Sequence, residues 1–128
     1  EEDRITVATS GDAHKMILDN ERHRMILTDK ENNCHVEMTT DDGRIELRAA
    51  KKLTVQVGDR IRVILDGESG AVKVEADKVM MQTSGGIGME ADGSVRISGG
   101  QVITEASSAL KLSSDGMTKI DGKVIKMG

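Results

Sequence analysis

The fold class is decided by the stretch 42–49, Asp42-Gly43-Arg44-Ile45-Glu46-Leu47-Arg48-Ala49. A turn dipeptide opens this stretch, and charged and apolar residues then alternate with a period of two. Such a period places the apolar residues on one face of a β-strand, whereas an amphipathic helix requires a spacing of three and four residues. The stretch therefore predicts a strand with one apolar face and one wet face.

The same alternation returns along the chain, and turn dipeptides separate its repeats. The further alternating segments are 53–57, 60–63, 72–76, 95–98 and 110–112. The turn dipeptides after Asp42-Gly43 are Gly58-Asp59, Asp66-Gly67, Gly85-Gly86, Asp92-Gly93, Gly99-Gly100, Asp115-Gly116 and Asp121-Gly122. Strands that begin roughly every 8–10 residues are typical of a sandwich, a barrel or a β-solenoid, so the chain is predicted to be all-β.

The first quarter of the chain carries a direct repeat, His14-Lys15-Met16-Ile17-Leu18 and His23-Arg24-Met25-Ile26-Leu27. Its apolar residues are consecutive, which indicates strands covered on both faces. A helix is the alternative, but the nine-residue rhythm favours strands.

Composition narrows the choice of architecture. The 128 residues contain no Phe, Tyr, Trp or Pro, and they include 14 Gly and one Cys. Large rings usually fill a sandwich or barrel core, so their absence favours a narrow core, and the missing prolines suit long strand ladders. The net charge of -4 argues against a nucleic-acid partner. The sequence shows no membrane-helix stretch and no recognisable signal peptide.

A narrow core raises the question of how one chain would enclose it. Each short strand offers about two inward side chains, and a single-chain solenoid needs a wider coil than this rhythm supplies. Three copies wound around one axis would instead build a triangular prism whose ladder is mostly intermolecular. Met80, Met81 and Met89 suit the filling of such an axis. We therefore predict an intertwined homotrimeric, triple-stranded β-helix, with a lead-in segment of irregular strands at 1–41 and a regular shaft at 42–128.

No catalytic or metal chemistry is predicted. The soft metal-ligand candidates are His14, His23, Cys34 and His35, and they lack the spacing of a zinc site. The two histidines of the repeat occupy equivalent positions in it, which favours a structural role. A threefold axis could still gather three copies of one residue. The carboxylates alternate along wet faces rather than converge in a pocket, so no enzyme and no cofactor is expected.

The segments 14–19 and 24–29, followed by the turn and strand series from Asp42 onward, resemble the C-terminal part of VgrG proteins. VgrG is the spike of bacterial type VI secretion systems, and the central spikes of phage tails and of phage tail-like particles share this pattern. The resemblance covers about 14–128. It implies a structural, membrane-puncturing homotrimer with a triple-stranded β-helix that follows an upstream hub.

The resemblance also implies partners. An Hcp-type tube would attach through the upstream hub, and a PAAR-repeat tip protein or an effector would dock at the C-terminal end. The residues at that end are Val124, Ile125, Lys126, Met127 and Gly128. Some phage spikes carry their own iron site at a His-x-His motif, which this sequence lacks. Such a spike is assembled in the bacterial cytoplasm and then ejected, and it meets the target membrane only transiently.

Two other classes compete with the spike interpretation. A single-chain β-solenoid that polymerises end to end, as bactofilin cytoskeletal proteins do, would form filaments without a threefold state. A hexapeptide-repeat acyltransferase would show a six-residue rhythm, and the rhythm here is longer.

Overall fold

The structure is a computed structural model, and it describes residues 3–128. Its secondary structure is almost entirely β, which confirms the all-β prediction. The strands are β1 (Arg4–Ala8), β2 (His14–Asp19), β3 (Arg24–Asp29), β4 (Cys34–Thr39), β5 (Arg44–Ala49), β6 (Lys52–Val57), β7 (Ile61–Asp66) and β8 (Ala71–Glu75). A short 3-10 turn spans Ser10–Asp12. The chain divides into two compact units, one ending at Gln82 and the other spanning Thr83–Gly128.

The eight strands belong to two antiparallel sheets, and each strand pairs with its neighbours in the chain. β1 to β5 form a five-stranded sheet in sequence order, and β6 to β8 form a three-stranded sheet. Ala50 and Lys51 link the two sheets without belonging to a strand. Consecutive antiparallel strands need only a tight turn between them, and the polar and glycine-containing segments of the sequence supply these turns.

Most of the hairpin turns place one residue in the left-handed region of backbone space. Gly43, Gly58 and Gly70 have φ of 65°, 59° and 71°. His23 has φ of 51° in the turn between β2 and β3, where a side chain beyond Cβ makes this conformation unfavourable. His14 begins a strand instead, so the two histidines of the sequence repeat differ in conformation.

The nine-residue repeat brings its own two copies together in one hairpin. Ile17 lies opposite Ile26 at the centre of the β2–β3 pair, with Met16 opposite Leu27 and Leu18 opposite Met25. Ile17 and Ile26 are 8% and 7% exposed, and they are the two buried apolar residues of the part of the chain that is described. The predicted strands at this repeat are confirmed, but only one of their faces is covered within the chain, because Met16 and Leu27 on the other face are 43% and 52% exposed.

The strands of residues 4–75 take their backbone partners from the same chain. The strand ladder was expected to be mostly intermolecular, but β1 to β8 find their backbone partners within the chain. Asp42-Gly43 and Gly58-Asp59 lie in hairpin turns that fold each strand back on the previous one. The alternating pattern predicted the strands, but it does not distinguish a partner in the same chain from a partner in another.

Residues 76–128 differ from the rest of the chain. They contain no helix and no strand, and all of them are exposed. Within residues 83–128 the structure shows no backbone-to-backbone hydrogen bond. The alternating segments 95–98 and 110–112, which the sequence predicts to be strands, therefore lack a ladder partner in their own chain. No helix within residues 3–128 has the length and apolar character needed to cross a membrane.

Candidate assembly surface

One face of the five-stranded sheet is entirely apolar across its middle. Paired residues lie side by side on the same face of a sheet, and successive residues of a strand alternate between faces. The register therefore places ten apolar side chains on one side, in two columns that run across all five strands. The first column is Val7, Met16, Leu27, Val36 and Leu47, and the second is Ile5, Leu18, Met25, Met38 and Ile45. We call these ten residues the first apolar face.

The three-stranded sheet repeats this arrangement. Its register places eight apolar residues on one side, namely Leu53, Val55, Val57, Ile61, Val63, Leu65, Val72 and Val74. We call these eight residues the second apolar face. Leu47 of the first face and Leu53, Leu65 and Val72 of the second line one open depression between the sheets. The two apolar faces therefore meet at the point where one sheet gives way to the next.

Nothing within residues 3–82 covers these faces. On the first face Ile45 is 70% exposed and Leu27 is 52% exposed, and on the second face Val72 is 71% exposed. An antiparallel sheet normally packs one face against a second layer and leaves the other to water. Here the chain supplies the sheets but not the second layer.

The accessible surface of the chain shows how much surface lacks a covering layer. The accessible surface is 12029 Å² for a mass of 13.8 kDa. A folded monomer of this mass exposes about 6,600 Å², so the chain exposes about 5,400 Å² more than a self-sufficient monomer would. A standard protein interface removes about 800 Å² from each partner. The excess therefore corresponds to several interfaces of ordinary size.

The opposite face of the five-stranded sheet carries a charged row that crosses three strands. Arg24 Nε lies 3.6 Å from Asp19 Oδ2, and Arg24 Nη1 lies 3.8 Å from Glu37 Oε1. His35 Nε2 is 3.9 Å from the same Glu37 oxygen. These side chains lie on the same face as the buried Ile17 and Ile26. The apolar parts of long charged side chains can cover such neighbours while their charged ends stay in water.

Three aspartates at strand ends hold the following turns. Asp19 Oδ1 accepts a hydrogen bond from the Arg22 N–H at 3.1 Å, and Asp29 Oδ1 accepts one from the Cys34 N–H at 2.8 Å. Asp66 Oδ1 accepts from the backbone N–H groups of Glu68 and Ser69, at 3.0 and 3.3 Å. These backbone donors are the main reason that the pKa of each carboxyl lies below its ordinary value of 3.8.

The metal-ligand candidates of the sequence do not converge. His14, Cys34 and His35 line one shallow depression, while His23 lies in the turn before β3. No group of three or more His, Cys, Asp or Glu side chains in residues 3–128 has the arrangement of a metal site. Cys34 is an exposed free thiol.

The predicted tip-docking residues are the last five of the chain. Val124 is 85% exposed, Ile125 is 54% exposed and Met127 is 88% exposed, and none of the five belongs to a strand. Their role in docking stays a prediction. The axis-filling methionines Met80, Met81 and Met89 are likewise exposed in the single chain.

Sequence reasoning did not identify the two-column organisation or the turn-holding aspartates. The columns depend on which residues face each other across strands, and a period of two alone does not give that register. The aspartates carried a recognisable signal, because Asp19, Asp29 and Asp66 each follow an apolar run and precede a polar turn.

Comparison with known proteins adds no identification. No protein-family model matches the chain. No curated protein matches it either.

Proposed function

We propose that the chain forms a homotrimer that serves as a shaft segment of a contractile-injection spike. The observation that carries the proposal is the uncovered apolar side of residues 5–74, followed by the segment 83–128, whose backbone forms no hydrogen bonds within its own unit. Both deficits point to an assembly in which further polypeptides supply the missing layer and the missing hydrogen bonds.

Copies of the same chain are the partners that fit both deficits. The two apolar faces consist of aliphatic residues and methionine, so they match one another in chemistry and size when copies meet. Closed rotational symmetry lets every copy bury the same surface. About 55–60% of an accessible protein surface is apolar, so about 3,000 Å² of the excess is apolar. At about 25 cal/mol per Å², burying even part of this apolar area is enough to hold copies together.

Three copies fit better than two because of the segment 83–128. Two sheets packed face to face would satisfy the first apolar face as a sandwich. They would not give the later segments hydrogen-bonded neighbours on both sides, since these segments form no hairpins of their own. Three chains around one axis make a closed ladder in which each segment lies between segments of the other two, and no sheet edge is left open.

The proposed role follows from the mechanics of such a ladder and from the resemblance to VgrG-type spikes. A closed three-chain ladder can separate only by breaking many backbone hydrogen bonds together, which suits a part that transmits force through a target envelope. In this role the chain is a structural component and not an enzyme. It would attach to a tube through an upstream hub and carry a tip protein or an effector at Val124–Gly128, and it would be ejected after assembly in the bacterial cytoplasm.

Sedimentation equilibrium of the chain tests the proposal. Three chains of 13.8 kDa give an expected mass of about 41 kDa, with one species over a wide range of concentration. A two-chain mass would indicate a sandwich dimer and refute the threefold ladder. Long filaments would favour the bactofilin-like alternative, and a folded monomer would refute assembly altogether.

A further inference from the structure

We propose that residues 4–75 are a registering module, which aligns three copies of the chain before residues 83–128 wind around one another. The inference rests on the proposed homotrimer and adds an order to its assembly. It begins from the contrast between the two units. The first has its strand register fixed within the chain, and the second has no internal backbone ladder at all.

Segments such as those in 83–128 face a register problem when they pair between chains. The apolar residues of 95–98 alternate with a period of two, so a slip of two residues replaces Val95 by Ile97 and leaves the same face apolar. The strand register of such segments is therefore weakly specified, unless another part of the molecule aligns the chains.

The meander of residues 4–75 does not share this problem. Its turns are tight, and Gly43, Gly58 and Gly70 occupy left-handed positions that fix where each strand reverses. The apolar columns are therefore in place before any second copy arrives. When three copies pack their apolar faces together, the columns of side chains fit best in one alignment. That alignment sets the register of the three chains along their common axis.

Association through these faces would then bring the three copies of 83–128 together. Tethering raises the effective concentration of the attached segments to the order of millimolar. The entropic cost of bringing the three segments together is also lower, because the residues that precede them are already aligned. Assembly of the second unit should therefore depend on the first, while assembly of the first should not depend on the second.

Two matched substitutions in the full chain test this asymmetry. Ile45→Lys places a charge on the first apolar face, and Ile97→Lys places the same charge in the second unit. The two isoleucines are 70% and 66% exposed in the single chain, so neither change disturbs a buried site within it. Glu46→Lys is the control for β5, because Glu46 lies on the opposite face, directly across from Glu37. Each variant is examined by sedimentation and by amide hydrogen exchange resolved along the chain.

We expect Glu46→Lys to behave as the unmodified chain does. Ile97→Lys should remain assembled, with the amides of 14–66 still protected and protection lost in 83–128. Ile45→Lys should be monomeric and should lose protection in 83–128 as well.

The inference is overturned if Ile45→Lys keeps protection in 83–128, or if Ile97→Lys is monomeric. A Glu46→Lys chain that fails to assemble would also overturn it, because β5 would then tolerate no charge on either face. If the unmodified chain is not a trimer, the proposed function fails. If it is a trimer and the two isoleucine variants fail alike, only the registering role fails.

Discussion

Replacing Ile26 and Leu27 in turn by alanine separates the stability of the chain from the stability of its assembly. The two residues are neighbours on β3 and point to opposite faces. Ile26 is 7% exposed beneath the charged row, whereas Leu27 is 52% exposed on the first apolar face. Truncating a buried Ile costs about 2–5 kcal/mol. We expect a loss of this size for Ile26→Ala whether or not copies associate.

The loss for Leu27→Ala depends on what covers the face. Full burial of a leucine is worth about 1.5–3 kcal/mol, so covering the exposed half of Leu27 contributes about 1 kcal/mol per chain. The cavity left in a packed interface raises this to about 1–3 kcal/mol per chain. Because the change occurs in all three copies, the trimer should lose at least about 3 kcal/mol, which is roughly a hundredfold in the assembly constant.

Urea unfolding at several chain concentrations measures both effects. The midpoint of an assembled protein rises with concentration, and Leu27→Ala should shift the whole series to lower urea. The reasoning is refuted if Leu27→Ala leaves the series unchanged while Ile26→Ala lowers it, because Leu27 would then remain in water.

Three further predictions follow from individual residues. Gly67→Ala should lower the thermal midpoint, because the added Cβ would lie 3.1 Å from the Lys51 carbonyl oxygen, and Gly85→Ala is the control, since its Cβ meets nothing within 4 Å in the single chain. His23→Gly should match or raise the unfolding midpoint in urea and His23→Val should lower it, because φ at this position is 51°. A His23→Val midpoint equal to that of His23→Gly would contradict a left-handed turn. Because the folded pKa values of Asp19, Asp29 and Asp66 lie below 3.8, their stabilising effect is fully present above about pH 4 and is lost as the pH falls through the folded values. A pH series of unfolding midpoints should therefore drop below about pH 4, and Asp66→Asn should make that drop shallower; an unchanged slope would contradict the turn-holding role.

The sequence predicted the strands of residues 14–75 well because their signal is local. Alternation at 44–49 and 53–57, and the repeat around Ile17 and Ile26, report directly which side chains must leave water. The turns at Gly43 and Gly58 were also predictable, since glycine readily adopts positive φ.

The choice of strand partner was not predictable in the same way. A strand at 44–49 presents the same alternating pattern whether its neighbour belongs to the same chain or to another, so the pattern alone did not indicate that β4 and β5 pair within the chain. The same ambiguity applies to 95–98, where the predicted strand has no partner in its own chain. Local pattern fixes the faces of a strand, and only the balance of satisfied and unsatisfied backbone groups indicates where its partner is.

Amide hydrogen exchange of residues 83–128 in the unmodified, assembled chain tests the account most directly. These backbone groups have no hydrogen-bond partner within their own unit, so we expect strong protection there to come from other copies. We expect exchange far slower than in an unfolded chain throughout the alternating segments of 83–128, in a particle with the mass of three chains. Exchange there at the rate of an unfolded chain, in a particle whose residues 14–66 are protected, would contradict the account.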